Sequence, residues 1–108
     1  LTWTGGGGGA MAAYMIASVR FGSADRAQEY GRQVALTIAT FGGRYLARGG
    51  QAEVSEGDWH FAYVTIVEFP SLDQAKRWYN SEDYRGLKSL RLEHAESNLA
   101  FIDGLPAP

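Results

Sequence analysis

The sequence predicts an α+β domain in which two helices cover one face of an antiparallel sheet. Residues 13–21 and 62–69 are largely apolar on both alternating faces, as expected for central strands. Residues 24–40 and 72–94 instead repeat apolar side chains at intervals of three and four, which is typical of amphipathic helices. Pro70 ends the second of these strands directly before a helical stretch, so the pattern indicates the order β-α-β-β-α-β.

The first half of the chain predicts helix 24–40 and then strand 44–48. Ser23 can cap the helix, and Gly42-Gly43 can end it because a glycine readily takes the left-handed conformation. The apolar stripe of this helix consists of Ala27, Tyr30, Val34, Ile38 and Phe41.

The second half predicts a bulged strand, a strand and an interrupted helix. We expect residues 51–55 to continue strand 44–48 beyond a bulge at Gly49-Gly50. A capping box that begins at Ser71 starts the second helix. Ser81 interrupts this helix and can cap its second segment.

The ends of the chain predict two tails around one domain. The last predicted strand covers residues 98–103, so we expect the domain to span residues 11–104 and residues 105–108 to form a C-terminal tail. Residues 1–10 include five consecutive glycines, which favour flexible coil. We expect this segment to be a non-native tail, with Met11 as the natural start.

The composition of the chain argues against several classes of function. The 108 residues carry a net charge of −2 and lack the clustered lysines and arginines of a nucleic-acid-binding face. Cysteine is absent, which excludes disulfides, thiolate nucleophiles and cysteine-based zinc sites. No apolar stretch reaches the roughly 20 residues of a membrane span, and the start does not resemble a signal peptide. We therefore expect a cytoplasmic protein without nucleic-acid or membrane partners.

The predicted fold leaves one face of the sheet without a cover. Right-handed crossovers place both helices on the same face, yet strands 13–21 and 62–69 are apolar on both. A second copy of the chain would cover the remaining face most simply. We therefore expect a homodimer, which can associate further.

Four motifs resemble the DUF1330 family: GGRYLARGG at 42–50, EGDW at 56–59, EFPS at 68–71 and WYNS at 78–81. The resemblance runs from about residue 13 to residue 104. It implies a ferredoxin-like fold that pairs into a dimeric α/β barrel, in agreement with the uncovered sheet face. The role of the family is not established. Relatives of this architecture include cofactor-free monooxygenases, small-molecule isomerases and haem enzymes, so the chemistry does not transfer with the architecture.

Glu68 is the candidate catalytic residue. It shares a strand face with Ile66, where a carboxylate needs either a partner or a raised pKa. As a general base it would act on a small organic molecule. Alternatively, the carboxylate is structural: it pairs with Arg44, Arg48 or Arg91, or it reaches water from the end of the strand.

Arg44, Arg48 and Arg91 are candidate ligand-binding residues, because a guanidinium group binds carboxylates and phosphates bidentately. Arg44 and Arg48 are four residues apart on a strand, so we expect them on one face about 13 Å apart. This distance is too long for one small anion, which favours a structural role for at least one of them.

Trp78, Tyr79 and Tyr84 are candidate residues of an aromatic ligand pocket. Their helical spacing is also typical of core packing, especially for Trp78. We expect a cleft between the second helix and the sheet that these three residues line together with Glu68 and Arg91.

The sequence favours chemistry without a cofactor. His60 and His94 are the two histidines, and neither belongs to a motif with metal-ligand spacing. His94 is the one candidate for an axial haem ligand. The sequence favours two functions over a haem- or metal-using oxygenase: a cofactor-free enzyme that acts on a small organic molecule, or a non-catalytic small-ligand-binding or stress-related dimer.

Overall fold

A computed structural model describes residues 11–61 and 63–106, which form a four-stranded antiparallel sheet with helices packed on one face. The strands are β1 (Met11–Phe21), β2 (Arg44–Gln51), β3 (Tyr63–Phe69) and β4 (Ala95–Pro106). The helices are α1 (Ala24–Thr40), α2 (Leu72–Tyr79) and α3 (Glu82–His94). The predicted α+β, ferredoxin-like arrangement is confirmed, with α2 and α3 forming the two segments of the interrupted helix.

The strands β1 and β3 occupy the centre of the sheet, whose order is β2-β3-β1-β4. Ile16 of β1 lies opposite Ile66 of β3 on one side and Ala100 of β4 on the other. Residues that lie directly opposite each other share a face. The doubly apolar runs are therefore central strands, as predicted.

Three serines start the three helices. The side-chain oxygens of Ser23, Ser71 and Ser81 each accept a hydrogen bond from the backbone N–H three residues later, at 3.4, 3.0 and 3.2 Å. Gly42 follows the end of α1 with a φ of 80°, a conformation that glycine adopts without strain. Both features match the prediction. None of the described helices is long and apolar enough to cross a membrane.

The last strand is longer than predicted. β4 pairs with β1 from Ala95 to Pro106, whereas the sequence predicts only residues 98–103. Because β1 continues to Met11, it offers hydrogen-bonding partners along this whole length. Leu105 and Pro106 therefore belong to the sheet and not to a tail.

Two other expectations concern segments outside the regular elements. Residues 52–55 do not continue β2, which ends at Gln51. The predicted tail at 1–10 and the final residues 107–108 lie outside the described residues.

The hydrophobic core lies between the helices and the covered face of the sheet. Its largest fully buried side chains are Trp78, Tyr84, Phe69, Ile38 and Val67. Burial of each contributes on the order of 1.5–3 kcal/mol. Trp78 stacks on Tyr84 with ring centroids 4.2 Å apart, and its indole N–H donates to the Thr37 hydroxyl at 2.9 Å. This contact ties α2 to both α3 and α1.

Candidate functional site

The sheet separates Glu68 from the predicted site residues on the helices, Trp78, Tyr79, Tyr84 and Arg91. Val67 and Phe69 are fully buried beneath the helices, so Glu68 between them points to the opposite face. We call this opposite side the open face; its residues include Tyr14, Ile16, Val64, Ile66, Glu68, Ala100 and Ile102. The expectation that Glu68 shares a cleft with Trp78, Tyr79, Tyr84 and Arg91 is wrong, because strand alternation directs it away from the helices.

Glu68 has two hydrogen-bond donors on the open face. Its Oε1 accepts from Arg44 Nε at 2.8 Å, and its Oε2 accepts from the Tyr14 hydroxyl at 3.2 Å. The hydrogen bond from Arg44 is the main cause that lowers the pKa of this carboxyl below its ordinary value. Of the predicted partners, Arg44 is therefore the one that pairs with Glu68. A lowered pKa makes the carboxylate a weaker base, and its catalytic role stays a prediction.

Arg91 lies inside the protein, with only 2% of its surface exposed. Its Nε donates to the Tyr84 hydroxyl at 3.1 Å, and its Nη1 donates to Ser97 Oγ at 2.7 Å. The Tyr84 hydroxyl in turn lies 2.7 Å from the Tyr30 hydroxyl. Arg91 therefore joins the helices to β4 on the covered face, and does not pair with Glu68 on the open face.

A cavity of about 290 Å³ lies between α1 and the covered face of the sheet. Its apolar walls come mainly from alternate residues of β1 and from the inner side of α1: Met15, Ala17, Val19, Phe21, Val34 and Ile38. Its lining also includes four residues with polar side chains: Tyr30, Tyr45, Arg48 and Thr65. Trp78 and Leu99 also line it. Such a predominantly apolar cavity with a few polar groups is typical of small-molecule sites.

Arg48 stands at the exposed edge of this cavity. Its Nη2 donates to the carbonyl oxygen of Gly31 at 2.9 Å, and its guanidinium carbon lies 4.7 Å from the centre of the Tyr45 ring. The expectation that Arg44 and Arg48 share a face is wrong. The pairing of β2 with β3 shifts register on both sides of Ala47, which breaks strict alternation along this strand.

Two tyrosines, Tyr30 and Tyr45, line the cavity. Burial, and then the neighbouring Tyr84, raise the pKa of Tyr30 well above its ordinary range. Burial also raises the pKa of Tyr45. Both side chains are therefore neutral hydroxyl groups at neutral pH. The sequence pattern indicates only that Tyr30 belongs to the apolar stripe of α1. Its hydroxyl group among aliphatic side chains is the one feature that could have suggested a polar function.

The three predicted aromatic residues have different positions. Trp78 is 1% exposed, packs in the core and also contacts the inner end of the cavity. Tyr84 is fully buried behind Tyr30 and does not line the cavity. Tyr79 packs edge-on against Phe101. The cavity therefore brings together two of the predicted ligand-binding residues, Arg48 and Trp78, whose role in binding stays a prediction.

The described histidines lie away from the cavity. His60 is exposed, with its Nε2 3.2 Å from Asp58, and His94 ends α3. Among residues 11–61 and 63–106, no three His, Cys, Asp or Glu side chains are grouped so that they could hold a metal ion.

Several solved structures are similar to this chain. The RPA0582 protein of unknown function from Rhodopseudomonas palustris is 23% identical, with a TM-score of 0.67 over 89% of this chain and 84% of that one. SnoaB, a cofactor-independent oxygenase from Streptomyces nogalater, is 14% identical, with a TM-score of 0.57 over 87% and 91%. A dimeric ferredoxin-like protein of unknown function from Thermobifida fusca is 10% identical, with a TM-score of 0.52 over 86% and 91%.

These identities show a shared fold alone. No curated protein matches the sequence significantly. The family described as "Domain of unknown function (DUF1330)" matches residues 12–105, which is most of the chain. The chain therefore belongs to the DUF1330 family.

Proposed function

We propose that this protein binds a small, mainly apolar organic molecule in the cavity between α1 and the sheet. The observation that carries the proposal is the composition of the walls: aliphatic and aromatic side chains surround about 290 Å³, and the polar groups are few and specific. This volume suits a molecule with one or two rings, since pockets for larger ligands are usually bigger. Arg48 at the edge would bind an anionic or polar substituent.

The proposal includes turnover of the bound molecule without a cofactor. The neutral phenol of Tyr30 and the guanidinium of Arg48 could orient and polarise an organic molecule without any further group. SnoaB, which shares the fold, is a cofactor-independent oxygenase. The alternative is a non-catalytic small-ligand-binding or stress-related dimer, which would release the molecule unchanged.

We further propose that the protein acts as a homodimer through the open face. Ile102 is 49% exposed, and Ile16 and Ile66 are half-buried beside it. Trp59 and Phe61 stack 5.3 Å apart at the margin of this face and add exposed apolar area. A second copy would bury this surface, and the similar Thermobifida fusca protein is dimeric.

Filling the cavity tests the binding proposal. Gly31 lines the cavity, and the nearest atom that an added Cβ would meet is Arg48 Nη2 at 4.0 Å. Gly31→Leu should fill the edge of the cavity while raising helix stability by up to about 1 kcal/mol. Gly86→Leu is the matched control, because Gly86 lies in α3, outside the cavity, with nothing within 4 Å of its added Cβ.

The readout is the melting temperature with aromatic compounds of one or two rings, such as acetophenone and indole. We expect these compounds to raise the melting temperature of the original protein and of Gly86→Leu, but not that of Gly31→Leu. Equal shifts in all three proteins would place binding elsewhere, and no shift with any compound would contradict the proposal.

A further inference from the structure

We propose that Tyr30 donates a hydrogen bond to a carbonyl or enolate oxygen of the bound molecule, and that Arg91 and Tyr84 position its proton. This inference rests on the proposed function and names the class of ligand: a small ring compound with an oxygen acceptor. It assigns Tyr30 as a binding residue and the other two as positioning residues.

The direction of the hydrogen bonds follows from counting donors. The Tyr84 hydroxyl accepts from Arg91 Nε at 3.1 Å, and it has one proton of its own. Among the described residues, the only hydrogen-bonding group other than Arg91 at this hydroxyl is Tyr30, 2.7 Å away. Tyr84 therefore donates to Tyr30, because otherwise its buried proton would have no acceptor there. The Tyr30 hydroxyl can then donate its proton in a hydrogen bond to an oxygen of a molecule bound in the cavity, which Tyr30 lines.

Arg91 places a buried positive charge behind the Tyr84 hydroxyl. Its side chain lies in the core with Tyr84 and Ser97 as hydrogen-bond partners, and no carboxylate of the described residues forms an ion pair with it. A buried cation without an anionic partner is costly for folding. Its positive charge, transmitted through Tyr84, would stabilise negative charge on an oxygen that accepts from Tyr30.

The position of Tyr30 suits this role. Its ring lines the cavity, whereas Tyr84 and Arg91 lie behind it. Burial raises its pKa, so the hydroxyl keeps its proton at neutral pH and can act as a donor. An apolar environment also strengthens a hydrogen bond relative to water. Other cavity donors, such as Thr65, lack a buried cation behind them.

Two probes of the same shape test the inference. Acetophenone has a carbonyl oxygen where α-methylstyrene has a methylene group. We expect Tyr30→Phe to weaken acetophenone binding about fivefold, the value of one hydrogen bond, and to leave the dissociation constant of α-methylstyrene within about twofold. The C=O stretching frequency of bound acetophenone should be lower in the original protein than in Tyr30→Phe.

Tyr84→Phe distinguishes the two possible directions of the Tyr30–Tyr84 bond. If Tyr84 donates to Tyr30, the variant weakens the donor, and the C=O frequency moves towards that of Tyr30→Phe. A shift in the opposite direction would overturn the inference, since it would mean that Tyr30 had been donating to Tyr84.

The two probes distinguish a wrong role for Tyr30 from a wrong binding site. Equal effects of Tyr30→Phe on both probes would overturn the role of Tyr30 while leaving the cavity as a binding site. If neither probe binds the original protein up to its solubility limit, both proposals are overturned.

Discussion

The hydroxyl groups of Tyr30 and Tyr84 lie 2.7 Å apart, although 54 residues separate them in the chain. Tyr30 belongs to α1 and lines the cavity, and Tyr84 belongs to the first turn of α3 and lies in the core. Arg91, seven residues after Tyr84, completes this group of polar side chains beneath the helices. The group connects the wall of the candidate site to a buried positive charge.

We expect Arg91→Met to change the free energy of unfolding by less than about 1 kcal/mol. The two lost hydrogen bonds would be offset by removal of a charge that is costly to bury, and methionine can fill the space. The preference for acetophenone over α-methylstyrene should nevertheless decrease. Urea unfolding and probe titration measure the two effects. A loss of several kcal/mol with the preference unchanged would show that Arg91 is purely structural.

Glu68→Gln should alter the acid stability of the protein. Because the folded-state pKa of Glu68 is lowered from 4.5, its contribution to stability is present above about pH 4.5 and is lost as the pH falls through the lower folded value. The difference in melting temperature between the original protein and Glu68→Gln should therefore shrink below pH 4.5. Arg44→Gln removes the other partner of the same ion pair, and Arg44 is the main cause of the lowered pKa. The difference between the original protein and Arg44→Gln should therefore show the same trend.

The same variant examines the predicted catalytic role of Glu68. If organic molecules bind in the cavity, Glu68→Gln should leave the affinity for the probes unchanged, because the carboxylate lies on the open face. A folded Glu68→Gln protein that no longer binds the probes would contradict this expectation and show that Glu68 takes part in binding.

Ile66→Asp should convert the proposed dimer to a folded monomer. Ile66 lies opposite Ile16 in the middle of the open face, where a dimer would have to bury roughly 1,200 Å² or more in total. Light scattering measures the molar mass, and circular dichroism checks the fold. Leu36→Asp, at a side chain of α1 that is 71% exposed, is the control and should remain dimeric. A monomeric original protein at micromolar concentration would rule out the interface.

The fold follows closely from local sequence patterns. Apolar residues on both faces predicted that β1 and β3 lie at the centre of the sheet, and serine caps predicted the helix starts. The length of β4 could not be predicted, because it depends on hydrogen bonds to β1, which is 95 residues away for the pair Met11 and Pro106. Periodicity within β4 carries no information about how far its neighbour extends.

The candidate site was harder to predict, because it depends on which face of the sheet each side chain occupies. Side chains alternate between the two faces along a strand, and the apolar residues Val67 and Phe69 flank Glu68. This alternation could have predicted that Glu68 lies on the face away from the helices. The face that Arg48 occupies could not be predicted from alternation, because the irregular pairing of β2 with β3 near Ala47 interrupts it. The contact between Tyr30 and Tyr84 depends on the packing of α1 against α3.

The four isoleucines offer the most direct test of where an organic molecule binds. Ile38 lines the cavity, whereas Ile16, Ile66 and Ile102 lie on the open face. With isoleucine methyl labelling, an acetophenone titration followed by NMR reports on both sides of the sheet. We predict that the Ile38 methyl resonance shifts with acetophenone concentration in a saturable way while the other three stay in place. A saturable shift confined to Ile16, Ile66 and Ile102 would contradict the cavity as the binding site.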